Sequence, residues 1–136
     1  MERVQSMKRF SNQVDELFNL LEGLFARVKS RDGLIRIKTY KNKFTIFKRS
    51  NIRMIIGGFW EAIQPFKEHI EQRDEKFFLE NDLDSLGLHP RDEGLVEEDA
   101  TKLKHIWNDP NVTDKDKESI WELVESMVQD ARVVCA

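Results

Sequence analysis

The chain has 136 residues, about 40% hydrophobic and 35% charged, with a formal net charge of −3, three Pro and six Gly. That is one domain's worth of chain with material for a core, which argues against long disordered tracts. Its longest apolar run, Met54 to Trp60, is too short for a membrane span; the N-terminus lacks the pattern of a secretory leader; and the single Cys135 suits a reducing compartment.

From the N-terminus, Val4, Met7, Ser11, Val14, Phe18, Leu21, Phe25 and Val28 recur at alternating spacings of three and four. This predicts a long amphipathic helix. Phe10, Leu17 and Leu24 widen its stripe, as expected of a helix packed on two neighbours. Gly23 lies inside the stripe and reads as a place where another helix could cross closely. Ser30 to Gly33 supplies turn residues that end the helix.

The stretch 34–48 reads two ways. "LIRIKTY" and "KFTIFK" alternate well enough for a β-hairpin turning at Lys41-Asn42. Leu34, Ile37, Tyr40 or Lys41, Phe44 and Phe47 equally fit a helix, and Lys41-Asn42 lacks the glycine that a two-residue hairpin turn prefers. Helix is the favoured reading.

Ser50 or Asn51 then caps a third helix, with Ile52, Ile55, Ile56, Phe59, Trp60, Ile63, Phe66 and Ile70 inward. Pro65 predicts a kink or break near Ile63–Gln64, because its ring removes a backbone donor and clashes with the preceding turn. The helix resumes towards Phe77 and Phe78, and residues 80–94 read as a connector. A helix over roughly Val96 to Trp107 stops before Pro110. Thr113 caps the last helix, with Asp116 completing a capping box. Its stripe is Ile120, Leu123, Val124, Met127, Ala131 and Val134. The sum is a single all-α domain over 1–136, of about five helices, one kinked at Pro65, with the hairpin within 34–48 as the main alternative.

Catalytic patterns are missing. None of His69, His89 and His105 has a Glu three residues before it, and no HExxH, CxxC, phosphate-loop or dinucleotide fingerprint occurs. Glu68, Glu71 and Glu75 share a helix face near His69, but a metal site draws ligands from facing helices, so a solvated face is the simpler reading. Cys135 has too little chain beyond it to be held as a nucleophile for His105. Gly57-Gly58 reads as a packing feature. The expectation is a non-enzymatic protein without cofactor or metal.

Charge is the informative signal. Segments 1–26, 27–53 and 54–136 carry −1, +9 and −11. Such asymmetry marks an interaction surface or self-neutralisation in the fold, for which the acid-rich C-terminal half is the simplest counterweight. The candidate binding residues are Lys38, Lys41, Lys43, Lys48, Arg49 and Arg53. They suit an acidic protein partner. The alternative is nucleic acid, with Tyr40, Phe44 and Phe47 as a stacking platform between phosphate-binding cations.

Two stretches carry a resemblance. "FWEAIQPFKEHIEQRDEKFFLENDL" and "LKHIWNDPNVTDKDKESIWELVESM" contain Phe59, Pro65, Phe66, Asp74, Glu75, Phe77, Phe78, Trp107, Lys117, Ile120 and Trp121. Across about a third of the chain this resembles small helical proteins of nucleocytoplasmic large DNA viruses. The resemblance implies an all-helical viral accessory or virion protein that works by binding, located in the particle or the host cytoplasm, with the nucleus and homo-oligomerisation as alternatives. It carries no catalytic residues over, and the basic block is outside it.

Overall fold

The computed structural model describes residues 2–80 and 106–136. Helix α1, Glu2–Arg27, is followed by α2, Arg31–Ile63, a 3-10 turn at Gln64–Phe66, the short helices α3, Lys67–Glu71, and α4, Glu75–Glu80, and finally α5, Asp114–Cys135. No strand occurs among the described residues. The class is all-α.

The hairpin within 34–48 is not present. Lys41 and Asn42 lie inside α2, and the helix expected from Ser50 is the continuation of the same helix. Two of the about five helices expected are therefore one, and the expected division of the chain is corrected on that account. The cap read at Ser50 or Asn51 is instead a distortion within α2, at Asn51 with φ −134° and ψ 29°. Thr39 and Thr45 return their hydroxyls to the carbonyls of Ile35 and Lys41, so these strand-favouring residues satisfy themselves within the helix. The connector and most of the helix expected at 96–107, including Leu103 and His105, lie outside the described residues.

The break at Pro65 stands: α2 stops at Ile63 and Pro65 lies in the 3-10 turn that follows. The capping box is also formed. Thr113 Oγ accepts from Asp116 N at 3.1 Å, and Asp116 Oδ2 accepts from Thr113 N at 2.9 Å.

The central element is α1, which packs on α2 and α5, antiparallel to both. Phe10 meets Phe59 edge to face and Phe18 tilts onto Phe44, so early α1 lies beside late α2. Arg9 near the start of α1 reaches Asp130 near the end of α5, and Arg27 at the other end reaches Asp116. Phe10, Val14, Phe44, Ile56, Met127 and Ala131 form one buried cluster from all three helices. Leu21, Leu24, Phe25, Ile106 and Val112 form a second. Ile63, Phe66 and Ile70 form a third, under Phe77, Phe78 and Trp121. Of the stripe residues expected to be inward, Phe18, Phe59, Trp60, Ile120 and Val124 are half-buried, and Val4 is exposed. The stripe on α1 is centred on Phe10 and Leu24, the positions read only as its widening.

Two helix ends use the same device. Ser30 N donates to Phe25 O and Lys29 N to Ala26 O. Asp74 N donates to His69 O and Arg73 N to Ile70 O. Both are Schellman turns, with Lys29 (φ 60°) and Arg73 (φ 50°) in the left-handed position that glycine usually takes. Ser30 then caps α2 through Gly33 N.

Gly33 has a packing role. A Cβ there would overlap the Phe25 ring and crowd Ser30 Oγ. Gly23, Gly57 and Gly58 have none: a Cβ at each meets nothing within 4 Å. The close-crossing reading of Gly23 and the packing reading of Gly57-Gly58 are therefore corrected. Opposite signs follow. Gly58→Ala should stabilise the protein by about 0.5–1 kcal/mol, the helix-propensity difference. Gly33→Ala should destabilise it, because Phe25 must move from its cluster. Denaturant melts of the two variants check both signs.

Candidate docking surface

The basic block divides along α2 by what faces each side chain. Lys41 and Lys48 turn inward to α1. Lys41 Nζ donates to Asn19 Oδ1 at 2.7 Å and lies 3.1 Å from Glu22 Oε1. Lys48 Nζ donates to Asp15 Oδ2 at 2.8 Å and stands 5.5 Å over the Phe44 ring. Asp15, Asn19 and Glu22 follow one another at helical spacing on α1, so one acidic edge meets this part of the block.

The other four candidates, Lys38, Lys43, Arg49 and Arg53, are exposed and make no ion pair among the described residues. Between them stand apolar side chains that the core does not take: Ile35 (55% exposed), Ile46 (67%), Phe47 (46%) and Met54 (74%). No acid occurs from Gly33 to Trp60. The outward face of α2 is thus both cationic and apolar.

The stacking platform is not assembled. Phe44 is buried in the first cluster, and Tyr40 is half-buried with a partner of its own. Phe47, read as part of the inward helical stripe, is exposed. Among the described residues, Arg27 pairs with Asp116 of α5, while Lys41 and Lys48 meet acids of α1.

The acids beside His69 have structural partners. Asp74 holds His69 Nδ1 at 3.0 Å and accepts from Phe77 N, while the His69 and Phe77 rings stack at 3.6 Å. Trp107 Nε1 donates to Glu75, and Trp107 meets Trp121 edge to face. Arg73 donates twice to Glu125, at 2.8 and 3.1 Å. These contacts tie the segment after Pro65 to α5. Among the described residues, no three metal-binding side chains gather.

Residues that sequence reasoning missed include Arg9, Ser6 and Asp130. Ser6 is fully buried and Asp130 nearly so, with Arg9 bonded to both. Ser6 lies one residue from the read stripe, and nothing in a charged α5 singles out Asp130. The exposed Ile35 and Ile46 were legible as misfits to the helical stripe at 34–48.

No protein-family model, curated protein or solved structure matches the chain.

Three carboxyls are held below their ordinary range. Asp116 is lowered chiefly by its hydrogen bond from Arg27, Glu125 by that from Arg73, and Asp74 by that from His69. A carboxyl with a lower pKa folded than unfolded adds stability above its unfolded pKa, which is about 4. That contribution disappears as pH falls through the folded value. Asp116→Asn should therefore melt below wild type at pH 7, and the gap should close as the pH falls well below 4. A gap that stays constant with pH would remove the ion pair from the explanation.

The inner pair gives a second test. Lys48→Gln and Asp15→Asn should each destabilise modestly, and a double-mutant cycle should return a coupling of about 0–1 kcal/mol, as for partly exposed pairs. Reversal of Lys38 or Arg53 should leave melting nearly unchanged.

Proposed function

We propose that the protein is a non-catalytic docking protein that works through the outward face of α2. One observation carries this reading. α1 neutralises Lys41 and Lys48 but leaves Lys38, Lys43, Arg49 and Arg53 facing outward, interleaved with exposed Ile35, Ile46, Phe47 and Met54. Exposed apolar side chains in a contiguous stretch mark an interaction site, and the cations select an anionic partner.

Two features weigh against catalysis as the role. His69, Asp74 and Glu75 spend their polar atoms tying secondary structure together, and Cys135 is exposed near the end of α5. The resemblance to accessory proteins of large DNA viruses supports the same class of function, with the virion or the host cytoplasm as its setting. No helix among the described residues is long and apolar enough to cross a membrane.

The nucleic-acid alternative is the weaker one. It needs cations and stacking rings on one face, and two of its six cations and two of its three rings are engaged elsewhere.

The test is a capture experiment. Wild type and a Lys38→Glu/Lys43→Glu/Arg49→Glu variant should melt alike. Only wild type should retain its partner from cells in which the protein is made, membranes included. A variant that keeps every partner would sink the proposal. Binding of both proteins to duplex DNA or single-stranded RNA should be absent at about 0.15 M salt.

A further inference from the structure

We infer that the partner of α2 is an anionic phospholipid surface, on which the helix lies in the plane of the headgroups with the rest of the bundle above it. The inference rests on the reading of α2 as the working surface.

The order of side chains around α2 is the first argument. Ile35 and Ile46 are eleven residues apart, about three turns, so they share one line along the helix. Lys38 and Arg49 follow them by three residues each, on one shoulder of that line. Lys43 precedes Ile46 by three, on the other shoulder. An apolar line thus runs between a cationic shoulder of Lys38 and Arg49 and one that carries Lys43 beside Ile46 and Asp32 beside Ile35. Beyond Asn51, Met54 and Arg53 continue the same combination, both exposed. At a bilayer the ridge enters the boundary of the acyl layer, while the long stems of Lys and Arg let their charges stay with the phosphates.

Charge is the second argument. The face carries no acid from Gly33 to Trp60. Apart from Asp32 and Glu61 near the two ends of α2, exposed acids sit on other elements, including Asp114, Glu118 and Glu122 of α5. A molecule polarised in this way is attracted to a negative leaflet with α2 foremost.

Side-chain order decides between partners. A helix that docks in a protein groove presents apolar anchors at i, i+3 or i+4 and i+7, and Thr39 and Asn42 stand at i+4 and i+7 from Ile35. Affinity for nucleic acid grows with the number of phosphates neutralised and gives Ile35 and Ile46 no role. A soft planar surface accepts a ridge and reaches both shoulders at once. Thr39 and Asn42 keep the seat shallow, so attachment is reversible and needs anionic lipid.

Sedimentation of the full chain with vesicles tests this. Vesicles of phosphatidylcholine with about one-third phosphatidylserine should bind the protein, pure phosphatidylcholine should not, and raised salt should release it. Replacing Lys38, Lys43 or Arg49 with Gln should each lower partitioning about fivefold, the effect of roughly one surface charge. Ile46→Asn, which leaves charge unchanged, should also weaken it severalfold. With wild type alone, amides from 35 to 54 should gain hydrogen-exchange protection on vesicles.

Binding insensitive to Ile46→Asn would be charge adsorption only, and would overturn the inference. So would tighter binding to duplex DNA or to an acidic helical peptide at the same salt. Failure on vesicles together with α2-dependent capture of a soluble partner overturns the lipid and leaves the docking function standing. Failure of both removes the function as well.

Discussion

Everything in this fold hangs on the width of the apolar stripe of α1. A narrow seam would satisfy one partner helix. Here Phe10, Val14, Leu21, Leu24 and Phe25 are all buried, which demands cover from two sides. α2 supplies one side, through Phe44 and Ile56, and α5 the other, through Met127 and Ala131. Because α1 is antiparallel to both, α2 and α5 run alongside each other in the same direction. Ionic contacts then fix the register at both ends, Arg9 with Asp130 and Arg27 with Asp116. The Arg9 pair is not simply a surface contact, since the Asp130 carboxylate is nearly buried and Ser6 Oγ accepts a second bond from the same guanidinium.

That arrangement explains the fate of the basic block. A helix with ten cations near it cannot lie against α1 with all of them facing water, because its apolar side must also be covered. Lys41 and Lys48 fall at the margin of the buried side and are met there by Asp15, Asn19 and Glu22. Their charge is spent on placing α2. Lys38, Lys43, Arg49 and Arg53 have no such neighbour among the described residues. One run of basic sequence therefore divides into neutralised and outward cations by helical azimuth and not by position along the chain.

Much of the fold was legible in the residues. Pro65 and the Thr113–Asp116 box act through backbone chemistry that needs no tertiary context, so both appeared where the sequence put them. The helical class of 34–48 followed from the missing turn glycine. What did not follow was the continuity of α2 through Asn51, because a cap and a tolerated distortion look alike until neighbours hold the chain on both sides. The centre of the α1 stripe was displaced for a related reason: with two partners, the residue facing the gap between them is buried most deeply. The candidate docking face was half legible. Its six cations stand out in the sequence and Ile35 and Ile46 fall off the helical stripe, but which two cations are neutralised depends on acids of α1 that are far off in sequence.

The pairing of α1 with α5 has a consequence for how the chain acquires its structure. The Schellman turn at Lys29 brings α1 and α2 together locally, so this hairpin closes with little loss of loop entropy. The contact of Arg9 with Asp130 spans 121 residues, so α5 must dock late. During synthesis, at about 5–20 residues per second, several seconds separate the emergence of α2 from that of α5. Through that interval the side of Phe10 and Val14 that Met127 and Ala131 will cover stands open to solvent. The nascent hairpin is then a sticky half-barrel of helix, dependent on chaperones or on dilution to stay single until its own C-terminal helix arrives.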